Sequence, residues 1–381
     1  FVGVRQAGKS YLLYQRIQQL LTNGVEIENI VYVNFDDERL QGMSVTDFDL
    51  ILQAYHSMYD SQPIFFFDEI QNVEGWANFA RRLANQKHRV YITGSNAKML
   101  SRDIETVLGG RYLDISVFPY SFSEYLKAVG VSVSKNWQYG RKANELQRHF
   151  RTYFDWGGFP ELVHFQEKRV WLNSLYNRIF FNDLVVRHKV KNEDALRLCV
   201  RRLAESVKQP CSLNRLSNLI KATGTPCSPS TVMEYVRYLQ ESCLLISIDN
   251  YVSKFVEKET IKKHYFVDNG LLHLFINNPN TSLLENLCTI TLYKKYGKGL
   301  YYYNRNIEVD FYVPDEGLAV QASYQMSDEE TIEREAKALV TLHGLYPLKR
   351  AMIITYEDEG EIVREGLKIE IKPAWKWVME G

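Results

Sequence analysis

Gly3-Val4-Arg5-Gln6-Ala7-Gly8-Lys9-Ser10, almost at the start of the chain, fits the pattern G-x-x-x-x-G-K-[ST] in full. In such a loop the glycines let backbone N–H groups turn inward around phosphate oxygens. The loop needs a β-strand to deliver it and a helix to follow it, so the octet commits the front of the chain to an α/β fold with a parallel sheet. The stretch from Tyr11 to Leu21 reads as that helix, its positive N-terminal end facing an anion. Only Phe1-Val2 is left as the end of the preceding strand, which is therefore expected to be cut short. Gly3, Val4, Arg5, Gln6, Ala7, Gly8, Lys9, Ser10 and Tyr11 are the candidate ATP-contacting residues of this segment. Lys9 is placed for the β and γ phosphates, and Ser10 for Mg²⁺.

A second motif follows at the right distance. Ile30 to Phe35 reads as a buried strand and Val45 to Tyr59 as helical; then Pro63-Ile64-Phe65-Phe66-Phe67-Asp68-Glu69 is an apolar strand ending in two acids. Asp68 is the candidate Mg²⁺ ligand, acting through water. Glu69 is the candidate group that polarises the attacking water. Arg89 to Ile92 is another strand, ending in Thr93-Gly94-Ser95-Asn96. In a parallel sheet such a tip lies at the ligand-binding crevice, so Ser95 or Asn96 is a candidate sensor of the γ-phosphate; the alternative is a small polar turn that only ends the strand. Arg111, in Gly109-Gly110-Arg111-Tyr112, is a candidate arginine finger, in cis or from a neighbouring subunit, or else a surface arginine in an ion pair.

Gly3–Ser10, Phe65–Gln71, Thr93–Asn96, Gly110-Arg111 and Pro119–Tyr125 together resemble a bacterial and archaeal group of AAA-type P-loop ATPases. In that group the ATPase domain precedes a C-terminal domain of uncharacterised function. Its better-known relatives are origin-recognition and signal-transduction ATPases. The resemblance implies ATP and Mg²⁺ as cofactors.

Composition narrows the partners. The chain has 46 basic and 46 acidic residues, a formal net charge of zero, so any nucleic-acid contact must come from a local basic face. The five cysteines are widely spaced, which points to reduced thiols and a cytoplasmic setting. No apolar run has membrane-spanning length.

Trp156-Gly157-Gly158-Phe159-Pro160 is a tight turn, read either as closing a helical lid over the nucleotide or as a plain interhelix turn. Three helices are expected at Asp194–Val207, Leu213–Ala222 and Pro229–Glu241, followed by a strand at Leu244–Ile248. That order suggests a winged helix, which contacts double-stranded DNA or another protein. The third helix has only Arg237 as a base, with Arg215, Lys221, Lys254, Lys258, Lys262 and Lys263 nearby.

Further on, a helix with Glu285, a strand with Glu308 and Asp310 on one face, and a strand with Gln321 and Ser323 resemble a restriction-endonuclease-like core. An active nuclease of that type needs a carboxylate at Gln321 and a lysine at Ser323, and nothing else in that strand supplies the lysine. A retained fold without cleavage is expected, with Glu285, Asp310, Gln321 and Ser323 as a degenerate site.

The expected architecture is α/β throughout. A parallel-sheet P-loop NTPase (AAA/ASCE-like) domain spans 1–127 and a helical lid or connector 128–190. A winged-helix domain spans 191–252, and a degenerate restriction-endonuclease-like α/β domain 253–381. The expected activity is Mg²⁺-dependent ATP hydrolysis coupled to movement of the C-terminal modules. A nucleotide-gated switch with little hydrolysis and an ATP-regulated nuclease are the alternatives, and a homo-oligomer is a possible assembly.

Overall fold

A computed structural model describes residues 1–100, 106–110, 112–133, 137, 138, 140–326 and 328–380, without the side chains of Leu100 and Phe255. Contacts divide the chain into two compact units, residues 1–118 with 241–243 and residues 119–240 with 244–381. Among the described residues no helix is long and apolar enough to cross a membrane.

The first unit contains β1 (Val2–Gly3), α1 (Lys9–Thr22), β2 (Ile30–Asn34), α2 (Phe48–His56), β3 (Ile64–Asp68), α3 (Trp76–Asn85), β4 (Arg89–Ile92) and β5 (Ser116–Val117). β3 pairs in parallel with β2 on one side and β4 on the other. β1 bridges in parallel from Val2 to Gly94 just past β4, and pairs with β5. The strand order is therefore β2-β3-β4-β1-β5, with β4 inserted between the strand that feeds the phosphate loop and the strand that ends in the acids.

Alternation along β3 explains the layering. Phe65 and Phe67 pack on Phe48, Trp76 and Phe79 from α2 and α3, whereas Ile64 and Phe66 pack on Leu13 and Leu20 of α1. Helices thus cover both faces, and all three phenylalanines are fully buried. Each contributes about 2–3 kcal/mol of burial. β2 departs from the sequence reading: it is half exposed, because among the described residues only β3 pairs with it. Gly3 is required by close approach, since a Cβ there would sit 1.9 Å from the Val117 carbonyl oxygen.

The second unit begins with α4 (Phe122–Ala128), α5 (Gly140–Trp156) and α6 (Lys168–Arg178), the last running on into a π-helical segment at Ile179–Val186. Ser121 caps α4 in a reciprocal box: its backbone N–H donates to Glu124 at 2.7 Å, and its hydroxyl accepts from the Glu124 N–H at 3.4 Å. The next elements are α7 (Glu193–Glu205), β6 (Cys211–Ser212), α8 (Leu213–Lys221), α9 (Pro229–Glu241), β7 (Leu245–Asn250), α10 (Phe255–Thr260) and β8 (Ile261–Phe266). Then come α11 (Asn269–His273), α12 (Asn280–Tyr296), β9 (Tyr301–Asn304), β10 (Glu308–Val313), β11 (Leu318–Ala322), α13 (Glu329–Leu345), β12 (Arg350–Thr355), β13 (Gly360–Arg364), β14 (Leu367–Pro373) and α14 (Ala374–Glu380).

The nine strands form one sheet in the order β13-β14-β12-β11-β10-β9-β7-β8-β6. β7 pairs antiparallel with β8 and also, at Asp249 and Asn250, in parallel with β9. The hairpin after the three helices therefore has its second strand beyond residue 252 and runs into the sheet that follows. Ala336, Leu339 and Leu342 of α13 close the core over Val309, Ala319, Ile353 and Ile369.

The Gly157-Gly158 turn is tied down inside this second unit. Gly158 N–H donates to Asp268 at 2.8 Å, and Tyr120 N–H donates to the Gly158 carbonyl at 2.7 Å. Gly157 has φ 78°, and a Cβ there would overlap the Asp268 carboxylate. Gly157→Ala is therefore expected to destabilise the second unit by roughly 3 kcal/mol, from left-handed strain plus overpacking. Urea unfolding followed by tryptophan fluorescence would measure this.

Candidate functional site

The loop after β1 takes the shape that its glycines permit. Gly8 is left-handed at φ 100° and caps α1, so the helix starts at Lys9 and its first N–H groups face the loop interior. Lys9 is 3% exposed. Its ammonium donates to the Val4 carbonyl at 3.1 Å and meets Glu69 Oε1 at 3.3 Å. Ser10 follows on the same turn. Tyr11 points outward, 70% exposed, with its ring 5.8 Å from Tyr14. Arg5 pairs with Asp36 at 3.5 Å.

The two acids at the end of β3 have different surroundings. Asp68 is 3% exposed and, among the described residues, its carboxylate receives hydroxyl hydrogens from Tyr32 at 2.9 Å and from Thr93. No lysine, arginine or histidine among the described residues forms an ion pair with it. This carboxylate is hydrogen-bonded but not neutralised, and a hard oxygen donor of this kind fits Mg²⁺, for which Ser10 is the candidate second protein donor. Glu69 lies in the left-handed region at φ 53°, a conformation that costs a non-glycine residue and turns its side chain toward Lys9. Burial alone would raise the Glu69 carboxyl. Lys9, Gln71, Ser95 and Arg5 outweigh that and hold it near 2.

Three residues that sequence reasoning gave no role organise this pair. Thr93 donates to Asp68 and accepts from the Glu69 N–H at 3.0 Å, so one buried hydroxyl sets both acids. Gln71 donates to Glu69 Oε2 at 2.5 Å, and its own Oε1, buried, has no partner among the described residues. Tyr32 reaches Asp68 from β2. The signal for Thr93 was its position at the tip of β4, which the strand order sets beside β3.

Ser95 and Asn96 diverge. Ser95 is buried and donates to Glu69 Oε2 at 2.8 Å. Asn96 instead accepts from the Lys98 N–H at 2.9 Å, closing the turn at Ala97–Leu100. Arg111 lies outside the described residues.

Of the second constellation, in the second unit, the structure brings Glu285, Asp310 and Gln321 together. Glu285, buried on α12, and Asp310, on β10, both reach one ammonium, that of Lys263 on β8, at 3.2 and 3.1 Å. Glu308 joins at 3.0 Å. Lys263 had been grouped with the basic residues around the winged helix, but it is fully buried among these acids. Lys262 is held at 3.1 Å by Asp249. Neither ammonium is thus an unengaged charge for DNA. Gln321 Oε1 accepts from the Asp310 N–H at 2.7 Å, and the Ser323 hydroxyl donates to the Gln325 carbonyl at 3.2 Å. Burial, then the Asp310 charge, pushes the Glu285 carboxyl up against the opposing pull of Lys263. Burial alone would lower the Lys263 ammonium, but Tyr265 and the three acids raise it.

An uncharacterized protein of Methanocaldococcus jannaschii is 32% identical over 393 residues, covering 98% of this chain and 86% of that one. This chain belongs to its family. An uncharacterized protein of Haemophilus influenzae is 31% identical over 388 residues, covering 98% of this chain and 92% of that one. A family profile described as an AAA domain matches residues 1–126, which takes in residues 1–118 of the first unit. A profile described as a domain of unknown function matches residues 147–282. Among solved structures, a Walker-type ATPase of Pyrococcus abyssi aligns at 13% identity over 72% of this chain and 89% of that one, with a TM-score of 0.41. Cdc6p of Pyrobaculum aerophilum aligns at 12% identity over 69% and 82%, with a TM-score of 0.29. Both likenesses are too loose to assign a role.

Proposed function

We propose that the AAA domain binds ATP with Mg²⁺ and hydrolyses it to ADP and phosphate. One observation carries the reading: the buried Lys9 ammonium closes on Glu69 at the mouth of the phosphate loop, while Asp68, also buried, has no cation of its own among the described residues. Backbone N–H groups of Gly3 to Ser10 receive the phosphates, and Lys9 takes the β and γ oxygens. Ser10 and Asp68 hold the metal, which when bound neutralises charge on the phosphate oxygens. Glu69 accepts a proton from the attacking water and orients it, with Ser95 and Gln71 fixing its carboxylate.

In this reading Lys9 and Glu69 restrain each other until a triphosphate draws the ammonium away. That contact also supports the switch reading, in which binding is firm and turnover slow. Phosphate release beside ATP affinity separates the two: measurable steady-state release supports hydrolysis, and tight binding without release supports the switch.

Tyr32 and Thr93 act as positioning residues for Asp68. Tyr32→Phe is expected to raise the Mg²⁺ needed for half-maximal turnover by about tenfold, as losses in a metal ligand's supporting shell do. A magnesium titration at fixed ATP would measure it.

The helix–strand–helix–helix–hairpin order from α7 to β8 supports a winged helix, with double-stranded DNA as the partner class tested first. Phosphate release that is unchanged by duplex DNA at low salt would remove that partner.

A further inference from the structure

The nuclease-like constellation implies a divalent cation between Glu285 and Asp310, and the residues present do not fit one. We infer that Lys263 is the permanent cation of this acidic cluster and that its ammonium stands where a divalent ion would otherwise sit. The side chain is fully buried and meets three carboxylates, Glu285 at 3.2 Å, Glu308 at 3.0 Å and Asp310 at 3.1 Å. Tyr265 adds a hydroxyl to the same Glu285 oxygen at 2.7 Å. Asp310 Oδ2 accepts from the Ala322 N–H at 3.1 Å, and the Gln321 side-chain Oε1 accepts from the Asp310 N–H. Glu285 Oε1, Glu308 Oε1 and Asp310 Oδ1 thus already face the ammonium, and Asp310 Oδ2 faces a backbone N–H.

Charge argues the same way. A divalent ion entering this cluster must either displace a fully buried ammonium or share its carboxylates with it at short range. Consistently, among the described residues no group of three or more histidines, cysteines, aspartates or glutamates is arranged to hold a metal ion. Lys263 comes from β8, which is not a hydrogen-bonded neighbour of β10. The ammonium thus fastens the outer hairpin to α12 and β10, a structural task that a metal would otherwise serve. It also removes the site a nuclease would use to activate water.

Manganese counting by electron paramagnetic resonance on the nucleotide-free full chain tests this. Wild type and Asp310→Asn are expected to retain equal Mn²⁺, because the cluster holds none in either. Lys263→Met is expected to retain one additional Mn²⁺ per chain, lost again in the Lys263→Met/Asp310→Asn double variant. Wild-type Mn²⁺ that disappears in Asp310→Asn overturns the inference, as does a folded Lys263→Met chain without the extra ion. Should Lys263→Met fail to fold, the comparison of wild type with Asp310→Asn decides alone. Metal-dependent DNA cleavage by the wild type, abolished in Asp310→Asn, would overturn it as well.

Discussion

Lys9→Ala is expected to lower the affinity for MgATP by about a thousandfold, roughly 4 kcal/mol, with the chain still folded. The size follows from burial. The ammonium is almost fully shielded from water and already faces a carbonyl and a carboxylate, so its attraction for phosphate is weakly screened. Alanine removes that cation and leaves Glu69 without its nearest positive charge. Glu69, held near 2 in the wild type, then titrates higher. Because its folded value lies below the ordinary carboxylate range, its contribution to wild-type stability is complete above about pH 4.5 and is lost as pH falls toward 2. In Lys9→Ala that contribution shrinks at neutral pH too. Calorimetric affinity with circular dichroism as a folding control would check both effects. Affinity within a few-fold of wild type would show that the ammonium does not grip phosphate.

Glu69→Gln is expected to behave in the opposite way. Turnover should fall by about 10²–10³-fold, because the amide cannot accept a proton from water. Binding should be retained or tighten, since the carboxylate that competes with phosphate for Lys9 is gone. The shape of the side chain is kept, so the Ser95 and Gln71 contacts to that position have a replacement partner. The pair of measurements is steady-state phosphate release and MgATP affinity. Turnover equal to wild type would overturn the assignment of Glu69. Reduced turnover with binding weakened tenfold would contradict the mutual restraint of Lys9 and Glu69.

What the sequence disclosed depended on how local each signal was. The phosphate loop and the apolar run ending in Asp68-Glu69 are contiguous patterns, and both formed at the expected residues. The Ser121–Glu124 box explains part of the Pro119–Tyr125 motif as helix capping. Thr93 and Tyr32 were harder to see, because their meeting with Asp68 depends on β2, β3 and β4 lying side by side. A strand's neighbours are not written in its own periodicity. The exposure of β2 was missed for the same reason: its apolar residues read as buried, but an edge strand has one flank open.

Lys263 is the clearest case. In sequence it stands beside Lys262 and reads as part of a basic surface. In space its strand folds back so that the ammonium reaches Glu285, Glu308 and Asp310 from 22 to 47 positions away. No local rule joins residues so far apart. That Ser323 stands where the resemblance would require a lysine was legible in the sequence; that Lys263 reaches the three acids from another strand was not.

Titrating MgATP into the wild-type chain in a calorimeter tests the phosphate-loop assignment most directly. A single-site exotherm with affinity in the micromolar range or tighter, abolished by Lys9→Ala, is the expected result. No heat with adenine or guanine triphosphates in the presence of magnesium would contradict it.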